Sequence, residues 1–159
     1  MAHKPKQLGH VNLWVRDAER SERFYADVLG LQATERRPGF AVFMSANLDE
    51  SHEMALMQLG PDARGPEANQ VGLNHVAWRM ETFEDLQEVY GRLKERGIGT
   101  SVGDHGISLG VYFKDPDGNG NEVYYELPRE QWPEGANIFT GHFPMSLEDE
   151  VPSPLTGEG

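Results

Sequence analysis

Apolar and polar positions along this chain follow one scheme that is written twice. Gly9-His10-Val11-Asn12-Leu13-Trp14-Val15 alternates with a period of two, as a half-exposed strand does. Phe24, Tyr25, Val28 and Leu29 then recur at helical spacing, with Asp17 as the expected N-cap and Gly30 as the C-cap. The scheme restarts 65 positions after His10, at Asn74-His75-Val76-Ala77-Trp78-Arg79-Met80. Here Thr82 caps, Phe83, Leu86, Val89, Tyr90 and Leu93 form the stripe, and Gly97 ends it. Each helix leads into strand-length runs rich in Val, Phe, Tyr and Met, broken by Gly, Pro, Asn and Asp.

The chain therefore predicts two modules of strand, helix and about three strands, residues 7–60 and 71–127, joined by a polar, Pro- and Gly-rich linker at 61–70. Residues 7–127 are expected to make one catalytic domain. The tail, 128–159, carries Trp132, Phe139 and Phe143 before turning acidic and Pro-rich. Its first part is expected to pack and its last dozen residues to lie extended on a surface.

Strand alternation sorts the polar residues, because side chains two apart share a face. Val11, Leu13 and Val15, and likewise Val76, Trp78 and Met80, are expected to cover the helices, which leaves His10 and His75 on the opposite face at matched positions. Val123, Tyr125 and Leu127 would face the second helix, putting Glu122, Tyr124 and Glu126 on the side of the histidines. Aligning Met54-Ala55-Leu56 with Glu122-Val123-Tyr124 places His52, Met54, Leu56 and Gln58 on that side too, with Met54 at the repeat position of Glu122. Each histidine alone is an ordinary polar residue at a strand start. Two imidazoles and a carboxylate on one open face, however, are the donor set of a mid-row divalent metal with vacant positions, Fe(II) above all.

These residues resemble the vicinal oxygen chelate superfamily, built from paired βαβββ modules, and within it the type I extradiol ring-cleaving dioxygenases. The signature of that group is Gly-x-His, five to seven residues, an apolar residue, Tyr-x-x-Asp-Pro-x-Gly, two or three residues, then Glu. This chain reads Gly103-Asp104-His105, five residues, Val111-Tyr112-Phe113-Lys114-Asp115-Pro116-Asp117-Gly118, three residues, Glu122. The resemblance, which covers about residues 7–127, implies an α+β fold in which the two modules form a half-open sheet around a metal site. It implies metal ligation by His10, His75 and Glu122, with Fe(II) as the expected metal and Mn(II) the other choice. It also implies that His105 and Tyr112 hydrogen-bond substrate and oxygen intermediates. His52-Glu53-Met54-Ala55-Leu56 matches the segment His-Asp-x-Ala-Leu that opens with a further catalytic histidine, apart from Glu for Asp. Many family members carry a second, metal-free domain of the same fold, whereas one domain is expected here, and the stretch between His52 and His75 is longer than usual.

The activity so implied is cleavage of a catechol-type diol beside its hydroxyls, with both atoms of O2 entering the product, as in aromatic catabolism. A metal-dependent isomerase, epimerase or thiol transferase is the alternative. It has no need of His52, His105 and Tyr112, and the glyoxalase type would want a second Glu where the alignment puts Met54. A metal-free drug-binding module is a further alternative, disfavoured by the intact triad.

Composition narrows the partners. In 159 residues, 14 Lys and Arg face 26 Asp and Glu, a net charge of −12 that repels phosphate backbones and anionic lipid, so neither nucleic acid nor membrane is expected. The absence of cysteine rules out disulfides, thiolate metal sites and cysteine nucleophiles. No apolar run approaches the ~20 residues of a spanning helix. Met1–Lys6 is charged with no apolar stretch behind it, so a cytoplasmic location without an export signal is expected. Exposed sheet edges lead to the expectation of a homodimer or larger assembly.

Overall fold

A computed structural model describes residues 3–132 and 134, together with the backbone of 142–145. The element order is β1 (Val11–Val15), α1 (Ala18–Leu29), β2 (Gln32–Arg37), β3 (Ala41–Ser45), β4 (Met54–Gln58), β5 (Val76–Arg79), α2 (Phe83–Glu95), β6 (Thr100–Asp104), β7 (Ser108–Lys114), β8 (Gly120–Glu126), a short 3₁₀ turn at Arg129–Gln131, and β9 (His142–Met145). Two compact units result. Unit 1 holds Met1–Gln70 with Asp115–Gly118, and unit 2 holds Val71–Lys114 with Asn119–Gly159. Each contains the strand, helix, three-strand order read from the sequence, and the α+β class follows.

In unit 1 the sheet order is β1-β4-β3-β2, with β1 and β4 parallel and the other pairs antiparallel. Helix α1 begins where Asp17 accepts from Arg20 N and ends where Gly30 N donates to the Ala26 carbonyl. Its buried face is Ala18, Ser21, Tyr25 and Val28, set over a core that includes Leu13, Val15, Met44, Met54 and Leu56. Complete burial of side chains of this size contributes about 1.5–3 kcal/mol each, which is what holds helix to sheet.

Unit 2 has the order β5-β8-β7-β6-β9, again with its first pair parallel. Thr82 and Asp85 form a reciprocal capping box at the start of α2, and Leu86, Val89, Tyr90 and Leu93 are its buried stripe. Phe83 meets Tyr125 of β8 at 6.3 Å between ring centroids, which fixes the helix side of this sheet.

The face assignment of β5 and β8 follows the sequence reading, but that of β4 does not. Met54 pairs with Val11 and Ala55 with Asn12, whereas Asn121 pairs with Val76 and Glu122 with Ala77. Directly paired residues share a face, so the repeat position of Glu122 is Ala55, not Met54. Met54, Leu56 and Gln58 lie on the α1 side, and the Gln58 carboxamide accepts from Ala18 N. The reason is visible in the run Met54-Ala55-Leu56-Met57: it is apolar throughout, so nothing in it marks which parity is buried.

The tail contributes a strand that periodicity did not reveal, β9, paired antiparallel with β6. Trp132 donates its indole N–H to the Leu127 carbonyl at 2.9 Å, under the Arg129 guanidinium. Phe139, the side chain of Phe143 and the last dozen residues, for which packing and an extended path were expected, lie outside the described residues. No helix among the described residues is long and apolar enough to cross a membrane.

Candidate metal and catalytic centre

The open face of the unit 2 sheet gathers four of the six residues singled out from the sequence. Ala77 pairs with Glu122, and Glu122 pairs with Tyr112 on its other side, so β8 presents its carboxylate between β5 and β7. His75, one residue before β5, brings Nε2 to 3.0 Å from Glu122 Oε2. Its ring meets that of Tyr112 edge-on, with centroids 5.6 Å apart. Nδ1 of His75 lies 2.6 Å from Oδ1 of Asn74.

His105 belongs to the tight β6–β7 connection, where its own N–H donates to the Ser108 carbonyl. The connection turns it back over the sheet, and its Nε2 reaches the Tyr112 hydroxyl at 2.8 Å. Burial and then the hydrogen bond to Glu122 push the Tyr112 phenol well above its ordinary value, so it remains a donor at neutral pH. A carboxylate only accepts, which orients the chain of bonds: His105 donates to Tyr112, and Tyr112 donates to Glu122.

Two glycines make room for this cluster. A Cβ at Gly110 would run into the Glu122 carboxylate and come within 3.2 Å of the Tyr112 hydroxyl. A Cβ at Gly120 would run into the Asn74 carbonyl and lie 3.2 Å from His75 Cβ. Gly110, Gly120 and Asn74 were not singled out from the sequence. Close backbone approach leaves no mark on periodicity, and an Asn before a strand reads as an ordinary loop residue.

One register step further along the same face, Arg79 pairs with Glu126 at 3.3 Å, and Tyr124 lies beside them. Burial and the Glu126 charge push the Tyr124 phenol up.

His10 and His52 are in unit 1, with ring centroids 4.5 Å apart. His52 also meets Phe43 edge-on at 5.1 Å, and Phe43 pairs with Ala55 on the open face of this sheet. Strict alternation from Met54 would have sent His52 to the helix side. It escapes because β4 begins only at Met54, and Glu53 before it is drawn aside: its carboxylate accepts from Ala46 N, Asn47 N and Ser45 Oγ. Burial opposes ionisation of Glu53, but these three donors outweigh it and hold its carboxyl below the usual range. His52 Nδ1 faces Ser51 Oγ at 3.2 Å.

The Asp-Pro-x-Gly part of the signature has a structural role within unit 1. Asp117 accepts from Arg16 Nη1 at 2.8 Å and from Arg20 Nη2 at 2.5 Å, and Asp115 accepts from Tyr25 Oη at 3.1 Å. Both aspartates are buried.

Among the described residues, no group of three or more His, Asp or Glu side chains is gathered as a metal cluster within either unit. The pair His75–Glu122 nevertheless has the chemistry a mid-row divalent ion requires: an imidazole nitrogen and a carboxylate oxygen facing each other on an open sheet surface, with neighbours held in place by hydrogen bonds.

Residues 7–123 match the profile of the Glyoxalase/Bleomycin resistance protein/Dioxygenase superfamily, and the chain belongs to it. Among curated relatives it is 34% identical over 131 residues to the catechol-2,3-dioxygenase of Bacillus subtilis (strain 168), covering 82% of this chain and 45% of that protein. It is 29% identical over 133 residues to the manganese-dependent 2,3-dihydroxybiphenyl 1,2-dioxygenase of Geobacillus genomosp. 3, covering 81% and 39%. The chain thus spans less than half the length of these two relatives. Its fold is shared with the glyoxylase/bleomycin resistance protein/dioxygenase domain from Frankia sp. EAN1pec, at a TM-score of 0.66 and 22% identity, covering 77% of this chain and 99% of that one.

Proposed function

We propose that residues 7–127 form one catalytic domain that cleaves a catechol-type diol in the extradiol manner, at an Fe(II) or Mn(II) ion held by His10, His75 and Glu122. The observation that carries this reading is the open face of the unit 2 sheet, where His75 and Glu122 stand 3.0 Å apart with Tyr112 and His105 bonded beside them. The relatives named as catechol and dihydroxybiphenyl dioxygenases support the same choice of substrate class. His10 enters the ligand set because it holds in the first module the place His75 holds in the second.

The ion, when bound, supplies the electronic link between a chelated diol and dioxygen. The side chains do the rest. His75 and Glu122 contribute one neutral and one anionic donor, so the bound ion keeps a positive charge that favours a catecholate. Tyr112 carries a proton on its hydroxyl at neutral pH, and its hydrogen bond would pass from Glu122 to a substrate oxygen once that carboxylate holds the ion, while His105 holds the phenol in place. His52 has Nδ1 turned to Ser51, which leaves Nε2 to hold a proton given up by the diol and to return it during ring opening, so that none is consumed overall. The carbon–carbon bond beside the diol is broken, both oxygen atoms enter the product, and a hydroxymuconic semialdehyde or its analogue leaves.

Ala55, at the repeat position of Glu122, has no donor atom, which disfavours the isomerase chemistry that needs a second carboxylate from the first module. The same reading carries a homo-oligomer in the cytoplasm. The assembly, not the location, is what β1 and β2, edge strands of the unit 1 sheet among the described residues, support.

Metal uptake tests the proposal. The chain is expected to take up one Fe(II) or Mn(II) per chain, and His10→Ala, His75→Ala and Glu122→Ala are each expected to abolish that uptake. Selective retention of Zn(II) or Ni(II) would favour the isomerase reading, and no uptake of any cation would leave only a binding module.

A further inference from the structure

The ring of His75 meets an acceptor at each end. Nδ1 lies 2.6 Å from Asn74 Oδ1, and Nε2 lies 3.0 Å from Glu122 Oε2. A neutral imidazole carries one N–H, and a nitrogen that binds a cation must be bare. A bond from Nδ1–H to Asn74 Oδ1 therefore selects the tautomer whose free lone pair is on Nε2, on the Glu122 side. There a divalent cation, instead of a proton, can join nitrogen to carboxylate.

The backbone fixes this arrangement. Gly120 opens β8 directly against residues 74 and 75, so closely that any Cβ at 120 would strike the Asn74 carbonyl and crowd His75 Cβ. The segment carrying the amide and the ring is thus seated on a fixed surface. At His10 the preceding residue is Gly9, which has no side chain to play this part.

We propose that Asn74 is the positioning residue of His75: its carboxamide oxygen sets the tautomer and the ring orientation, and so prepares Nε2 for a divalent cation. Both rest on the metal-site reading above, because without the cation the Glu122 carboxylate competes with Asn74 for the proton of the ring. Asn74 is exposed, so its replacement is not expected to disturb the fold.

The test uses the metal-free, ¹⁵N-labelled full chain and long-range ¹H–¹⁵N correlations of its histidine rings, with the His75 signals identified by their loss in His75→Gln. Titration with Zn(II), a diamagnetic cation accepting the same donors, follows. In the wild-type Zn(II) complex, His75 is expected to bind the ion through Nε2 and to carry its proton on Nδ1, facing Asn74 Oδ1. Asn74→Leu should bind Zn(II) about 10–100-fold more weakly, the usual weight of a residue that orients a ligating histidine, and its complex should lose the single Nε2-bound, Nδ1–H ring pattern. Asn74→Asp, which keeps an acceptor, should retain the wild-type tautomer. A wild-type ring pattern and Zn(II) affinity in Asn74→Leu would overturn the proposal. Should the wild type bind no Zn(II), Fe(II) or Mn(II), the metal reading falls, and the role of Asn74 falls with it.

Discussion

Tyr112 and Glu122 face each other directly across β7 and β8, and the phenol donates to the carboxylate. His105 supports the phenol from its other side at 2.8 Å. Tyr112→Phe removes the one hydroxyl that joins these groups while keeping the ring. It is expected to lower turnover about 10²-fold, the lower range for loss of a positioned donor, with metal affinity close to wild type. Steady-state oxygen uptake beside a metal titration separates the two effects. Unchanged turnover would take Tyr112 out of the mechanism.

Gly110 packs against the Glu122 carboxylate, and the added methyl of Gly110→Ala would overlap one of its oxygens. The carboxylate must then move. Metal affinity and turnover are expected to fall together, by about 10²-fold for a displacement on the order of 1 Å, with a stability loss of about 1–3 kcal/mol from overpacking. Calorimetric metal titration and a denaturant melt measure the two. Wild-type affinity would show that the carboxylate can shift without consequence.

His52 lies against His10 and Phe43 and is not in the proposed ligand set. His52→Phe keeps an aromatic ring in this contact. It should leave metal and substrate binding intact and slow turnover by about 10²–10⁴-fold, the range of acid–base catalysis. Single-turnover kinetics after anaerobic substrate binding would detect this, and an unaltered rate would remove His52 from the mechanism.

Asp117 concerns stability instead of chemistry. Burial opposes its ionisation, but donation from Arg20 and Arg16 prevails and holds the carboxyl below the ordinary carboxylate range. Folding therefore favours the ionised form. The resulting stabilisation is complete above the unfolded value of about 4 and is lost as pH falls through the lower folded value. Asp117→Asn is expected to flatten the acid limb of the stability curve below about pH 4. At neutral pH it should cost about 1–2 kcal/mol, modest for a charged hydrogen bond because both arginines remain partly in water. Urea melts from pH 3 to 7 read both effects; an acid limb as steep as wild type would show that Asp117 does not control it.

The modules, both helices and their caps were legible in the sequence because each is a local pattern: alternation before Asp17 and Thr82, helical stripes after them, glycines at their ends. The face of Glu122 was legible for the same reason, since Val123 and Tyr125 flank it as apolar partners on the other side. The face of β4 was not, because Met54 to Met57 carries no polar residue to set parity. His52 reaches its place through the side-chain bonds of Glu53, a tertiary effect that spacing cannot encode. Gly110, Gly120 and Asn74 act through close approach between neighbouring strands, and only the register of those strands reveals it.

Extradiol cleavage is tested best under strict control of oxygen. The chain is loaded anaerobically with Fe(II), in parallel with Mn(II), and given a panel of catechols before oxygen is admitted. A yellow ring-opened product is expected from at least one diol, with one O2 consumed per ring and no product from Glu122→Ala. Bound metal with no ring opening across the panel would contradict it.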